Sequence, residues 1–201
     1  MIGPHDPDGP DIATAPVAPQ ASAWNVPNAL TVLRILMVPV FGWLLLRHDG
    51  LESDWRWWAT VVFVVAIATD WVDGFLARRD GLITDFGKLM DPIADKALTG
   101  TALVGLSLVD ALPWWITVVV LVREVGITLM RFVVIRRGVI PASKGGKLKT
   151  VLQAVGITLL LAPLGDLVAT AGLWIMYAAV VVTVVTGVDY LVQAFRPRPR
   201  P

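Results

Sequence analysis

Apolar residues in this chain are grouped into six long runs, which short polar or turn-forming segments separate. The run at 57–77 is long enough by itself to cross a hydrocarbon core about 30 Å thick as an α-helix. The pattern predicts an all-α integral membrane protein with six transmembrane helices, over about residues 30–46, 57–77, 91–112, 116–135, 151–164 and 167–192.

Capping residues and prolines suggest where the first and third of these helices begin and bend. Asn28 is predicted to cap the first helix, and Pro39 to kink it. The third helix is predicted to begin at Asp91, which would cap it, with Pro92 in the first turn, where a missing N–H costs little. If that helix instead begins at Asp85, Pro92 lies deeper and bends it.

Composition supports a membrane protein with one central domain. Apolar residues make up 56% of the 201 residues and charged residues only 16%, which is unusual for a soluble domain. Residues 1–23 are rich in proline and contain no Lys or Arg, so we expect a disordered tail rather than a signal peptide. Residues 24–195 would form the six-helix domain, and 196–201, with the sequence R-P-R-P-R-P, an extended basic tail. The absence of Cys excludes disulfides and thiol chemistry.

Basic residues are distributed unequally between the two sides of the predicted membrane domain. Six crossings place both termini on one side, and twelve Lys or Arg residues fall on that side against two on the other. Loops rich in Lys and Arg remain in the cytoplasm. We therefore predict cytoplasmic termini and no role in binding nucleic acid.

Four aspartates lie in and beside the loop between the second and third predicted helices. Asp70 and Asp73 are three residues apart, and Asp91 and Asp95 are four apart, so each pair shares one face of a helix. Unpaired and deep in a bilayer, each carboxylate would cost about 2.5 to 3.5 kcal/mol. A site near the water interface that holds a hard divalent cation avoids this cost, and clustered carboxylates suit Mg²⁺, Mn²⁺ or Ca²⁺. With no Cys and two distant histidines, zinc fits poorly.

Eight residues of this segment match the signature of the CDP-alcohol phosphatidyltransferases in both type and spacing. They are Asp70-x2-Asp73-Gly74-x2-Ala77-Arg78-x8-Gly87-x3-Asp91-x3-Asp95. The chain therefore resembles a family of integral membrane enzymes that transfer a phosphatidyl group from CDP-diacylglycerol to an alcohol and release CMP. Three softer patterns resemble the branch of that family that uses glycerol 3-phosphate: N-V-P-N-A-L-T-V-L-R, R-E-V-G-I-T-x-x-R and G-G-K-L-K-T-V-L-Q.

The resemblance implies roles for the residues of the signature. It implies a site for one or two Mg²⁺ or Mn²⁺ ions, with the ligands Asp70, Asp73, Asp91 and Asp95. It also implies that Asp95 is the general base. A cytidine pocket is implied for Asp70, Asp73, Gly74, Ala77, Arg78 and Gly87. The alternatives are that the carboxylates cap helices or pair with nearby basic residues, and that the small residues serve helix packing.

Five basic residues are candidates for binding a phosphate on the acceptor: Arg34, Arg123, Arg131, Lys147 and Lys149. An Arg inside an apolar run normally faces protein or ligand rather than lipid, and guanidinium groups bind phosphate through paired hydrogen bonds. We predict that Arg123 and Arg131 border one cavity. The neighbours Arg123 and Glu124 point about 100° apart on a helix and are predicted not to pair well. For the lysines, the alternative is attraction to anionic lipid head groups.

These features favour transfer to glycerol 3-phosphate, and the resemblance implies a homodimer. The excess of Lys and Arg predicts that the active site, like the termini, faces the cytoplasm from a bacterial plasma membrane. Within the same chemistry, the acceptor could instead be inositol phosphate or phosphatidylglycerol. A cation transporter is the alternative outside the family, and it would require acidic residues near the middle of the membrane. A divalent-binding scaffold without catalysis is a third hypothesis, but it leaves the Arg-rich fourth run unexplained.

Overall fold

The computed structural model of the chain describes residues 25–79, 84–134 and 144–195. Within these ranges it does not describe the side chains of 77, 78, 85, 88, 131–134, 144–146 and 193–195. The described residues form helices and no β-strand, which confirms the all-α prediction. The six α-helices are α1 (Val26–Leu46), α2 (Ser53–Arg79), α3 (Asp85–Leu108), α4 (Trp114–Val134), α5 (Lys144–Leu161) and α6 (Asp166–Phe195), and a short 3₁₀ turn at Arg47–Gly50 follows α1.

Three of these helices are long and apolar enough to cross a membrane. The candidate spans are Val26–Gly50, Ser53–Leu76 and Asp166–Val192. Helices α3, α4 and α5 have 24, 21 and 18 residues, but each carries at least three charged residues. The described chain therefore supports a membrane protein, and the arrangement with six crossings stays a prediction.

Helix α1 begins one turn earlier than the sequence pattern predicted. Asn25, not Asn28, is the N-cap, and its side chain accepts a hydrogen bond of 2.9 Å from the backbone N–H of Asn28. Pro27 is tolerated because it lies in the first turn, where no backbone N–H is needed. The helix continues through Pro39 to Leu46. The early start places Asn28 inside the helix, with its side chain available to contact α3.

Helix α3 begins at Asp85, as the alternative boundary predicted, and the prediction that Asp91 caps it is wrong. Thr84 is the N-cap, and its hydroxyl accepts a hydrogen bond of 3.1 Å from the backbone N–H of Gly87. Pro92 consequently lies inside the helix. Because Asp91 is not needed at the helix end, its carboxylate is available for contacts with α1.

The buried core runs through all six helices and consists mainly of aliphatic and aromatic side chains. Its fully buried members include Phe41, Leu45, Phe63, Leu103, Leu106, Ile116, Ile157, Leu161 and Met176. Many other large apolar side chains on the outer faces are exposed, such as Trp71, Trp174 and Val181. An apolar outer surface is what a bilayer solvates, so this distribution agrees with a membrane protein.

Helices α5 and α6 approach each other closely at Gly156. A Cβ atom at Gly156 would lie 2.8 Å from Cγ of Met176 and 3.4 Å from the carbonyl oxygen of Gly172. We expect Gly156→Ala to lower stability by about 1–3 kcal/mol because it overpacks this contact. Thermal unfolding in detergent would measure the change. Gly126→Ala is the control, since a Cβ atom there meets nothing within 4 Å; equal stabilities of the two variants would contradict the expectation.

Candidate active site

Arg34 of α1 joins the two aspartates of α2. Its side chain is only 1% exposed. Nη1 donates a hydrogen bond of 2.6 Å to Oδ1 of Asp70, and Nη2 donates to Oδ2 of Asp73. Nε donates to the carbonyl oxygen of Ala66 at 3.3 Å. The spacing of three residues does place both carboxylates on one face of α2, and that face packs against α1.

Asp91 of α3 also contacts α1. Its Oδ1 accepts a hydrogen bond of 2.6 Å from the hydroxyl of Thr31. One turn earlier, the side-chain oxygen of Asn28 accepts a hydrogen bond of 2.9 Å from the hydroxyl of Thr84. These contacts tie the first half of α1 to the start of α3, beside the acidic residues.

Gly87 permits this close approach of α1 to α3. It is buried, and a Cβ atom there would lie 3.1 Å from Oδ1 of Asn28 and 3.7 Å from Oδ2 of Asp91. Asn28, Thr31 and Thr84 were not among the site residues predicted from the sequence. A signal was nevertheless present, because Asn28, Thr31 and Arg34 recur every three residues along one face of an otherwise apolar helix.

The four aspartates occupy one region around Arg34, without converging on a single point. Asp73 lies within electrostatic range of Asp70 and Asp91, and Asp95 within range of Asp70 and Arg34. Over the described residues, no three His, Cys, Asp or Glu side chains form a group that could hold a metal ion. The chemistry of the set fits a hard divalent cation, since its donors are carboxylate oxygens. Metal binding by these residues therefore stays a prediction.

A second charged cluster surrounds Glu124 of α4. Oε2 accepts a hydrogen bond of 3.0 Å from Nζ of Lys96 on α3. Oε1 accepts from Nζ of Lys149 on α5 and, at 3.0 Å, from Nη1 of Arg123. The prediction that Arg123 and Glu124 pair poorly is wrong, because the long Arg123 side chain bends back far enough to reach its neighbour.

Arg123 also packs against α6. Its Nη2 donates a hydrogen bond of 3.1 Å to the hydroxyl of Thr186. A Cβ atom at Gly187 would lie 3.3 Å from Cγ of Arg123, so a larger residue there would require the arginine to shift by a few tenths of an ångström. Its Nε is buried and has no hydrogen-bond partner among the described residues. Arg123 is therefore anchored between α4 and α6.

One cavity connects the two charged clusters. It has a volume of about 170 Å³ and lies among helices α2, α3, α4 and α5, with Arg34 contributed by α1. Apolar side chains such as Phe63, Leu103 and Ile157 form part of its lining. Its charged lining consists of Arg34, Asp70, Asp95, Lys96, Glu124 and Lys149. A cavity lined by both apolar and charged side chains suits an amphiphilic or anionic ligand.

The remaining predicted residues have different positions relative to this cavity. Lys149 is buried and lines it, whereas Lys147 is exposed on α5 and Arg123 is not part of the lining. Gly74 is partly buried on α2, directly after Asp73. The predictions for the side chains of Ala77, Arg78 and Arg131 lie outside the described residues, so the shared border of Arg123 and Arg131 stays a prediction.

Lys96 and Glu124 were not among the predicted site residues, although the structure places both in the cavity lining. Each had a detectable signal in the sequence. Glu124 is an acidic residue within an apolar run, and such residues usually mark a functional region. Lys96 directly follows Asp95, the last residue of the acidic signature.

The similarity to known proteins extends over nearly the whole described domain. The family model described as CDP-alcohol phosphatidyltransferase matches residues 24–185, which include both charged clusters. A probable phosphatidylglycerophosphate synthase of Mycobacterium tuberculosis (strain H37Rv) is 51% identical over 183 residues, 91% of this chain and 88% of the relative. A CDP-diacylglycerol–glycerol-3-phosphate 3-phosphatidyltransferase of Bacillus subtilis is 35% identical, covering 83% of this chain and 93% of the relative. A CMP-forming cardiolipin synthase of Streptomyces coelicolor is 37% identical, covering 70% and 66%.

Proposed function

Because the chain belongs to the CDP-alcohol phosphatidyltransferase family, we propose that it transfers the phosphatidyl group of CDP-diacylglycerol to sn-glycerol 3-phosphate, giving phosphatidylglycerophosphate and CMP. The observation that carries this proposal is the cavity whose lining includes both the carboxylates of Asp70 and Asp95 and the cations of Lys96 and Lys149. The names of the relatives from M. tuberculosis and B. subtilis support glycerol 3-phosphate as the acceptor.

In this proposal the acidic region would hold a divalent cation, and the diphosphate of CDP-diacylglycerol would bind beside it. Asp70, Asp73, Asp91 and Asp95 would hold one or two Mg²⁺ or Mn²⁺ ions, which would neutralise charge on the diphosphate. Arg34 orients the carboxylates of Asp70 and Asp73, since it bonds to one oxygen of each. The cytidine would lie beside Gly74, Ala77, Arg78 and Gly87, where small residues leave room for a ring.

Asp95 is the general base of the proposed reaction. Its side chain is exposed and lines the cavity, so a hydroxyl in the cavity would be accessible to it. Asp95 accepts the proton of the acceptor's 1-hydroxyl, and the hydroxyl oxygen forms a bond to the β-phosphorus of CDP-diacylglycerol. The bond between that phosphorus and the oxygen bridging to CMP breaks, and CMP leaves with the electron pair. Holding the hydroxyl next to its base and phosphorus would supply much of the rate.

The phosphate of glycerol 3-phosphate would bind at the basic side of the cavity. Lys149 is the predicted acceptor residue that lines the cavity there. Arg123 is held next to it through the shared partner Glu124. Arg131 and Lys147 complete the proposed set, and Arg34 would contribute from the acidic side.

The orientation in the membrane forms part of the same proposal. Helices α3, α4 and α5 would cross the bilayer together with the three apolar candidate spans, which gives six crossings. Both termini and the charged cavity mouth would face the cytoplasm of a bacterial cell, where glycerol 3-phosphate is dissolved and CMP is released. The excess of Lys and Arg on that side supports this orientation, and the family resemblance supports a homodimer.

A CMP-release assay on the purified protein tests the reaction. Glycerol 3-phosphate, inositol phosphate and phosphatidylglycerol would be offered in parallel with CDP-diacylglycerol and Mg²⁺. We expect glycerol 3-phosphate to support the fastest release. The relative from S. coelicolor raises phosphatidylglycerol as the alternative acceptor. Faster release with phosphatidylglycerol would overturn the proposal that glycerol 3-phosphate is the acceptor. No release with any of the three would overturn the reaction and leave the transporter hypothesis.

Removing divalent cations is expected to abolish CMP release, because the carboxylates would then repel the diphosphate. Activity would be measured after dialysis against a chelator and again after adding back Mg²⁺, Mn²⁺ or Zn²⁺. Mg²⁺ and Mn²⁺ should restore it, and Zn²⁺ should not, since the described site offers it no His or Cys ligand. Full activity in the dialysed protein would contradict metal binding.

A further inference from the structure

Glu124 is the common partner of three cations that come from three different helices. Lys96 belongs to α3, Arg123 to α4 and Lys149 to α5, and all three bond to its carboxylate. The side chain of Glu124 is 20% exposed and that of Lys149 is 10% exposed, so the cluster is largely screened from solvent. Glu124 thus connects the helices that form the basic side of the cavity.

Without Glu124 these cations would not remain together. Each lies within hydrogen-bond distance of the same carboxylate, so the cations are only a few ångströms from one another. Like charges at such separations in a poorly solvated region repel strongly. Lys96 and Lys149 have flexible side chains that would turn toward solvent, whereas the guanidinium of Arg123 is also held by Thr186.

Glu124 and its three cationic partners, Lys96, Arg123 and Lys149, together carry a net charge of +2. Three members of the cluster, Lys96, Glu124 and Lys149, line the same cavity as Asp95, the proposed general base, and Asp95 lies within electrostatic range of both Lys96 and Glu124. This lining suits a small acceptor with a phosphate at one end and a hydroxyl at the other. Its phosphate dianion would bring the charge of the cluster to zero.

We propose that Glu124 is a positioning residue, which gathers Lys96, Arg123 and Lys149 at one point to bind the phosphate of the acceptor. This inference rests on the proposed function and adds two residues to it: Lys96 as a phosphate ligand and Glu124 as the group that orients the ligands. Glu124 does not touch the reacting atoms. Its effect should therefore appear in the affinity for the acceptor.

Steady-state kinetics of CMP release with Glu124→Gln tests the proposal. Gln has the same shape but no charge, so the cations separate and the KM for glycerol 3-phosphate should rise about tenfold, equivalent to about 1.4 kcal/mol. The KM for CDP-diacylglycerol should change less than about twofold, because the diphosphate binds at the other side of the cavity. Glu124→Asp, which keeps the charge, should recover most of the lost affinity. Glu52→Gln is the control, since Glu52 pairs with His48 far from the cavity.

Lys96→Gln provides a second variant in case Glu124→Gln does not fold. It removes one proposed phosphate ligand and should also raise the KM for glycerol 3-phosphate, and the two substitutions together should raise it less than the product of their separate effects. An unchanged or lowered KM for glycerol 3-phosphate in both folded variants would overturn the proposal. The wild-type protein tests the proposed function separately. If it released no CMP with glycerol 3-phosphate, both the proposed function and the role of Glu124 would be overturned.

Discussion

Asp95→Asn is expected to lower kcat for CMP release by at least about 100-fold, the usual contribution of a general base. The substitution keeps the shape of the side chain and removes its ability to accept the proton of the acceptor hydroxyl. Because Asp95 is exposed in the cavity, the folded protein should remain about as stable as the wild type. Stopped-time measurement of CMP at saturating concentrations of both substrates would give the change in kcat.

Asp110→Asn is the matched control for this variant. Asp110 lies in the turn before α4 with a φ of 56°, a backbone conformation that asparagine also tolerates. Its substitution should leave both kcat and thermal stability unchanged. If Asp95→Asn retained more than about one tenth of the wild-type kcat, a general base contributing 100-fold or more would be excluded and another group would have to accept the proton.

Arg34→Ala should be the most damaging single substitution for both stability and activity. It leaves the carboxylates of Asp70 and Asp73 without their shared cation, and breaking a buried ion pair in this way costs about 3–5 kcal/mol. Without this cation, the two carboxylates would no longer be held in their present orientation, so CMP release should fall as well. Thermal unfolding in detergent and CMP release would be measured on the same preparation.

A double substitution separates these two effects. Arg34→Ala combined with Asp73→Asn also removes the buried charge of Asp73, which Arg34→Ala leaves without its cation, so the double variant should be more stable than Arg34→Ala alone. It should nevertheless remain inactive, because Asp73 is a proposed ligand of the cation. Recovery of activity together with stability would show that Arg34 and Asp73 only hold the helices together, and the proposed metal site would lose one of its ligands.

The exact ends of two helices differ from those that the sequence pattern predicted. Capping was assigned to Asn28 and Asp91, but Asn25 and Thr84 cap these helices. Both helices start about one turn or more earlier than their predicted apolar runs, because polar residues can occupy the first turns when a cap and neighbouring helices satisfy them. A hydrophobic pattern reports which residues face lipid or core, and it says little about polar turns at a helix end.

The amino-acid sequence by itself determined the all-α architecture and the family. Long apolar runs require helices in a bilayer, because only helices satisfy their own backbone hydrogen bonds there. The eight residues of the acidic signature identify the family through type and spacing alone, and the family match over residues 24–185 confirms this. Both properties depend on residues close together in the chain.

Only the tertiary structure decided which charges meet. Arg34 lies 36 and 39 positions from Asp70 and Asp73, and Glu124 lies 28 and 25 positions from Lys96 and Lys149. Spacing within one helix cannot predict such pairs, since they depend on how neighbouring helices rotate and cross. Each charge in an apolar environment requires a partner, but the packing of α1 against α2 and of α4 against α3, and the reach of the Lys149 side chain from α5, determine which partner it finds.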